Sequence, residues 1–182
     1  MRNPIFNRKH ITEYLSYGAL GSVVFMIPVL YFLYHNKYEN MYYLFIGCLL
    51  FMAVIFFYNY KLLNRPYDKK RAVSMLLASE MAILASVLIS SLFIVIAFLF
   101  FFPHLFTNMQ TDRIVQNAPA QVEAYKPTGL LMMVLAVNVL GNFSTGSFIS
   151  VVTSYAGKKD QTRDQPAPLE KMIRRDSNKW AG

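Results

Sequence analysis

One cysteine, one tryptophan and ten acidic residues in 182 positions set the first limits on this chain. With Cys48 alone, no intramolecular disulfide can form, so cysteine usage says nothing about the redox compartment. Charged residues make up 15% of the chain, too few to cover the surface of a soluble domain of this length. The three histidines, His10, His35 and His104, fall at the ends of apolar runs or in loops. A membrane haem with two histidine ligands therefore finds none in a span of this chain. There is no glycine-rich phosphate loop, no metal-ligand spacing and no nucleophile–base pair. The sequence leans away from an enzyme and implies no cofactor or metal.

What the chain has in abundance is apolar length: 55% of its residues are hydrophobic, with 15 Phe and 12 Tyr. Four runs, at about 15–34, 41–60, 77–102 and 129–156, each reach the roughly 20 residues that a helix needs to cross a hydrocarbon core. The expectation is an all-α membrane protein with one four-helix transmembrane domain over 1–160 and a basic tail over 161–182. The first run follows Arg2, Arg8 and Lys9, as a signal peptide would. It is longer than a signal h-region, and His35-Asn36-Lys37 after it offers no small-x-small cleavage site, so it reads as an uncleaved span. From Ala72 to Pro103 the third run contains a single charge, Glu80. As a helix that stretch would measure about 46 Å, more than the hydrocarbon thickness of about 30 Å. It either tilts or projects two turns into the interface.

The net charge of +8 does not indicate nucleic-acid binding, because the basic residues flank the apolar runs instead of gathering on a soluble face. Attraction to anionic headgroups accounts for them. The N-terminal segment carries three Lys and Arg residues, and the first loop carries Lys37. The second loop carries five (Lys61, Arg65, Lys69, Lys70, Arg71), the third loop carries Arg113 and Lys126, and the tail carries seven. Alternate segments thus total 15 against 3. The positive-inside rule places both termini and the second loop in the cytoplasm. Tyrosines near the span ends, among them Tyr14, Tyr17, Tyr31, Tyr34, Tyr42, Tyr43, Tyr58 and Tyr60, suit the headgroup level.

Two segments outside the spans have their own patterns. The external loop 104–127 suits a short helix near 108–117, which would cap the bundle, lie on the membrane surface or dock a partner. In the tail, Leu169, Met172, Ile173 and Trp180 share one arc of a helical wheel, opposite Lys171, Arg174, Arg175 and Lys179, with Asp176 an exception on the apolar arc. That separation fits an amphipathic helix in the cytoplasmic interface, with docking to a larger protein and a disordered basic tail as the alternatives.

Candidate site residues concentrate in the last two runs. Asn138, Gly141, Asn142 and Thr145 fall on one helical face at i, i+3, i+4 and i+7. Amides at membrane depth must find partners, because lipid offers none. They serve either close helix packing, which the absence of charge favours, or a substrate path. Ala78, Ala82, Ser86 and Ser90 form a four-residue-spaced small stripe on the third run, expected to face the amide face. Glu80 is the acidic residue inside a long run, and such a group invites a proton or cation role. Counting inward from Pro103 puts Glu80 near the cytoplasmic interface, where a solvated or ion-paired carboxylate is the simpler reading. Pro28 interrupts the first run and predicts a kink.

The layout, together with Gly146-Ser147-Phe148-Ile149-Ser150 leading into Gly157-Lys158-Lys159, resembles small uncharacterised four-helix inner-membrane proteins of Bacteroidota. The resemblance implies no activity. The expectation is an accessory or scaffold subunit that meets a membrane-protein partner or a second copy of itself, with lipid and anionic headgroups around it. The alternatives are a small transporter or channel, and a membrane enzyme acting on lipid or quinone near Glu80. For orientation the charge count gives a direct outcome. A C-terminal alkaline phosphatase fusion will be inactive and a C-terminal fluorescent-protein fusion bright; the opposite pair of signals would invert the topology.

Overall fold

The structure, a computed structural model, describes residues 8–63, 72–103 and 127–161. Those residues are helical apart from short connections. α1 spans Arg8–His35, α2 Tyr42–Leu63, α3 Ala72–Phe101, α4 Pro127–Ala136 and α5 Phe143–Gln161. A six-residue π-helical segment, Val137–Asn142, joins α4 to α5 so that the three run as one rod. Four stretches are long and apolar enough to cross a membrane: His10–His35, Tyr38–Leu63, Met75–Phe101 and Thr128–Ala156. Each starts earlier or ends later than its apolar run by as much as five residues, because a helix continues through polar residues after hydropathy has fallen. The expected external helix near 108–117 and the tail helix from Leu169 to Trp180 lie outside the described residues.

Local sequence explains the tight reversal between α1 and α2. α1 ends at Asn36, whose φ of 50° is the left-handed conformation that Asn tolerates after a helix C-terminus. Its N–H donates to the Phe32 carbonyl at 3.0 Å, satisfying one orphan acceptor of the last turn. A 3-10 turn, Tyr38–Met41, then leads directly into α2. Pro28 is buried inside α1, which continues helically through it.

Around the bundle, α1 packs against α2 and α3, and the α4–α5 rod packs against the same two helices. α1 and the rod therefore occupy opposite corners, while α2 and α3 touch across the middle. Since successive spans alternate in direction, α1 and α3 are parallel neighbours, as are α2 and the rod. The glycines mark the close approaches. A Cβ on Gly18 would lie 2.9 Å from the Ala82 carbonyl oxygen, so α1 and α3 meet nearly backbone to backbone. The Phe51 ring of α2 fills the space between two opposite corners. It would lie 2.9 Å from a Cβ on Gly21 of α1 and 3.1 Å from one on Gly146 of α5.

The core is built from Phe25, Phe32, Phe51, Ile55, Ile83, Ile94, Phe98 and Leu130, all fully buried. The outward faces are equally apolar: Ile27, Phe45, Phe57, Leu88, Phe100, Met132 and Phe148 are exposed. Helices apolar all round belong in hydrocarbon, where an exposed Phe costs nothing. Rings gather at the two ends, with Tyr17 and Tyr58 at 4.8 Å beneath Lys61, and Tyr31, Tyr43 and Tyr42 at 4.5 and 4.4 Å.

The close contact of the rod with α2 generates a compensable test. A Cβ on Gly141 would meet the Cys48 sulfur at 2.8 Å. Gly141→Ala will therefore destabilise the detergent-solubilised protein by about 1–3 kcal/mol, the usual range for overpacking. Adding Cys48→Ala, which removes the sulfur, will restore most of the loss in thermal unfolding.

Candidate functional site

Inside an apolar bundle the polar side chains are the places to look, and among the described residues three bonded groups of them join neighbouring helices. The first joins the rod to α3. Asn138 donates through Nδ2 to the Val87 carbonyl at 3.2 Å and to Ser91 Oγ at 2.9 Å. Its Oδ1 accepts from Ser90 Oγ at 2.7 Å and from Asn142 Nδ2 at 2.8 Å. The Val87 carbonyl can only accept, which fixes the Asn138 amide orientation and, through it, that of Asn142. Asn138, Asn142 and Ser90 are buried. The π-helical turn carries both amides, so their i, i+4 contact forms within a locally widened helix.

The second group lies nearer the end of the bundle where α2 finishes. Asn59 of α2 accepts at Oδ1 from Ser79 Oγ of α3 and donates from Nδ2 to Ser150 Oγ of α5 at 3.4 Å. Ser79 also reaches the Met75 carbonyl at 3.0 Å. One amide thus ties three helices together, and all three side chains are buried. Sequence reading missed it. Asn59 sits between Tyr58 and Tyr60 at the end of an apolar run, where it looks like part of a polar boundary. The available signal was its spacing: it lies four and eight residues after the core positions Ile55 and Phe51.

The third group is a pair. Ser147 Oγ donates to Glu80 Oε2 at 3.0 Å, and both side chains are half-buried. Lys69, Lys70 and Arg71, the basic residues that precede α3 and could have ion-paired with Glu80, lie outside the described residues. The hydroxyl is therefore the partner seen for this carboxylate.

The small stripe on α3 divides between two neighbours. Ser90 meets Asn138, whereas Ala82 and Ser86 lie against Gly18 of α1, and Ser86 Oγ approaches Gly21. Ala78 is half-buried beside this line. The amide face divides too. Asn138 turns toward α3, Asn142 bonds to Asn138 on its own helix, and Gly141 abuts Cys48 on α2. Thr145 bonds back to the Gly141 carbonyl of its own helix at 2.8 Å. A four-residue spacing selects a helical face but not the neighbour it meets; in a four-cornered bundle one inward face touches two helices.

No group of three or more His, Cys, Asp or Glu able to hold a metal occurs among the described residues. His10 pairs with Glu13 at 4.0 Å along the same helix, and His35 reaches the Tyr31 carbonyl at 3.0 Å. A groove of about 560 Å³ opens on the outer face between α1 and α3, lined by apolar side chains including Val23, Ile27, Leu30, Phe93, Ile96 and Phe100. It faces away from the amides. The tail residues Leu169, Lys171, Met172, Ile173, Arg174, Arg175, Lys179 and Trp180 lie outside the described residues.

The network separates two kinds of polar residue on the same helix. Asn138→Ala removes four bonds to neighbouring groups and will lower stability by about 1–3 kcal/mol, since buried amide bonds in membranes contribute at most modestly each. Thr145→Ala, which loses bonds to its own helix backbone, will stay within about 0.5 kcal/mol of the parent protein in the same detergent unfolding assay. Equal losses would contradict the interhelical role of Asn138. Comparison with models of known families, with curated proteins and with solved structures finds no match to this chain.

Proposed function

We propose that the chain is a non-catalytic integral membrane protein, an accessory or scaffold subunit of a larger membrane complex or of a homo-oligomer. The observation that carries this reading is the way interior polar groups spend their bonds on one another. Asn138 is turned into α3, Asn142 is bonded to Asn138, both are hidden from the surface, and Asn59 is spent on Ser79 and Ser150. A transport path needs polar groups facing a space through which a solute can move. The groove between α1 and α3 is lined by apolar side chains. A path along the amide face therefore has less support than packing. The Glu80–Ser147 pair supplies one carboxylate and one hydroxyl without the nucleophile–base–oxyanion arrangement that acyl chemistry requires.

The proposed setting is a bacterial inner membrane, as the resemblance implies, and the 15-to-3 distribution of basic residues between alternate segments supports both termini in the cytoplasm. Anionic headgroups would meet that basic side. The amphipathic tail and the long external loop are the segments suited to docking a partner, and the apolar outer faces suit both lipid and neighbouring helices. Native mass spectrometry after extraction in mild detergent tests the reading. A discrete assembly larger than the 20.9 kDa chain is expected. Recovery as a lone monomer under conditions that preserve known membrane complexes would refute it.

A further inference from the structure

The groove of about 560 Å³ between α1 and α3 occupies only one half of the membrane-spanning length. On α1 its lining starts at Val23, the middle of the His10–His35 span, and continues through Ile27 to Leu30. On α3 it starts at Phe93, past the middle of Met75–Phe101, and runs through Ala97 to the last turn. In the other half the same two helices close up. A Cβ on Gly18 would lie 2.9 Å from the Ala82 carbonyl oxygen, and one on Gly21 3.1 Å from Ser86 Oγ. The groove therefore ends blindly near the bilayer middle and extends to the end of the bundle where α1 finishes.

Its shape and composition select an occupant. A spanning helix from a partner or a second copy crosses both halves, whereas this depression serves one. Close helix packing also needs small residues. Ala97 is the small residue among the lining side chains, while Gly18 and Gly21 of α1 are spent inside the bundle. The lining stretches measure about 10 Å on α1 and about 12 Å on α3 at the helical rise, against about 15 Å for half of a hydrocarbon core. One leaflet's depth is thus matched from the middle outward. The walls are continuous with the lipid-facing surface, since Ile27 and Phe100 are exposed. On α1 the face of Val23, Ile27 and Leu30 continues one turn further to Tyr34, 75% exposed, whose ring packs edge-on against His35 at 5.2 Å. A phenol at the mouth of an apolar groove suits the polar end of an amphiphile.

We propose that this groove is a binding site for one acyl chain of a phospholipid, with the methyl end at Val23 and Phe93 and the headgroup beside Tyr34. The lipid belongs to the leaflet on that side, the outer one under the orientation proposed above. The site requires a bilayer around the bundle and no other protein, so it stands apart from the subunit reading.

The test uses the full wild-type chain in palmitoyl-oleoyl phosphatidylcholine nanodiscs doped with phosphatidylcholine that carries a diazirine at the methyl end of one chain. After illumination, labelled positions are mapped by mass spectrometry. Label at Val23, Met26 and Phe93 should exceed, several-fold, that at Leu49 of α2 and Leu88 of α3, exposed positions near the middle of their spans. Moving the diazirine next to the carboxyl end should shift the label to Leu30 and Phe100. Ile27→Trp, which fills the groove from an exposed position, should remove the excess, and Leu88→Trp should leave it. Equal labelling of the groove and of Leu49 and Leu88 in the wild-type chain would mean passing lipid alone and overturn the proposal. An unlabelled groove would mean that protein covers it, and a label that ignores the diazirine's position would deny the chain's orientation; each overturns it too. A lone monomer in native mass spectrometry would leave these outcomes unchanged.

Discussion

Hydrocarbon accepts no hydrogen bonds, and that constraint organises everything polar in this bundle. A soluble protein can leave a surplus amide at its surface. Here each polar side chain at depth must be answered by another helix, by its own backbone or by a captured small molecule. The first two answers are seen among the described residues: Asn138 and Asn59 reach other helices, and Thr145 and Thr153 return to carbonyls of their own turn. Asn142 keeps one buried oxygen without a partner among the described residues. The amides thereby set rotation and register where apolar packing against lipid-like neighbours would specify them weakly.

Shape does the complementary work. Gly18, Gly21, Gly47 and Gly146 all sit where a methyl group would press on a neighbour at about 2.9 Å. Around Phe51 the effect is mutual. The ring can occupy the middle because the helices on either side give up their side chains there, and those helices stay at opposite corners because the ring stands between them. Dispersion contacts of this kind are individually small, but in a membrane they replace the hydrophobic term that drives soluble cores.

Much of this architecture was legible in the chain. Four runs of the right length give four helices whatever their sequence detail, since an unpaired backbone in lipid leaves no other choice. The concentration of Asn, Gly, Ser and Thr between 138 and 147 marked the rod as the polar helix. Which neighbour answers each residue was not legible, because a helical wheel gives direction around one axis and says nothing of the axes beside it. That is why the stripe from Ala78 to Ser90 splits between α1 and the rod. Asn59 escaped notice for a related reason: a single amide near a span end carries no periodic signal until its core neighbours Ile55 and Phe51 are known. The π-helical turn had no sequence mark that distinguishes it from ordinary helix.

The seating of Cys48 has a practical side. Its sulfur is covered by Gly141 and lies 4.0 Å from the Val137 carbonyl, with 4% of the residue exposed. A thiol reagent cannot reach it while α2 and the rod remain together. The wild-type chain accordingly behaves as its own cysteine-free background, onto which single reporter thiols can be introduced without first removing the native one. Any modification of Cys48 itself then reports that the two helices have parted, giving a chemical clock for opening of the bundle.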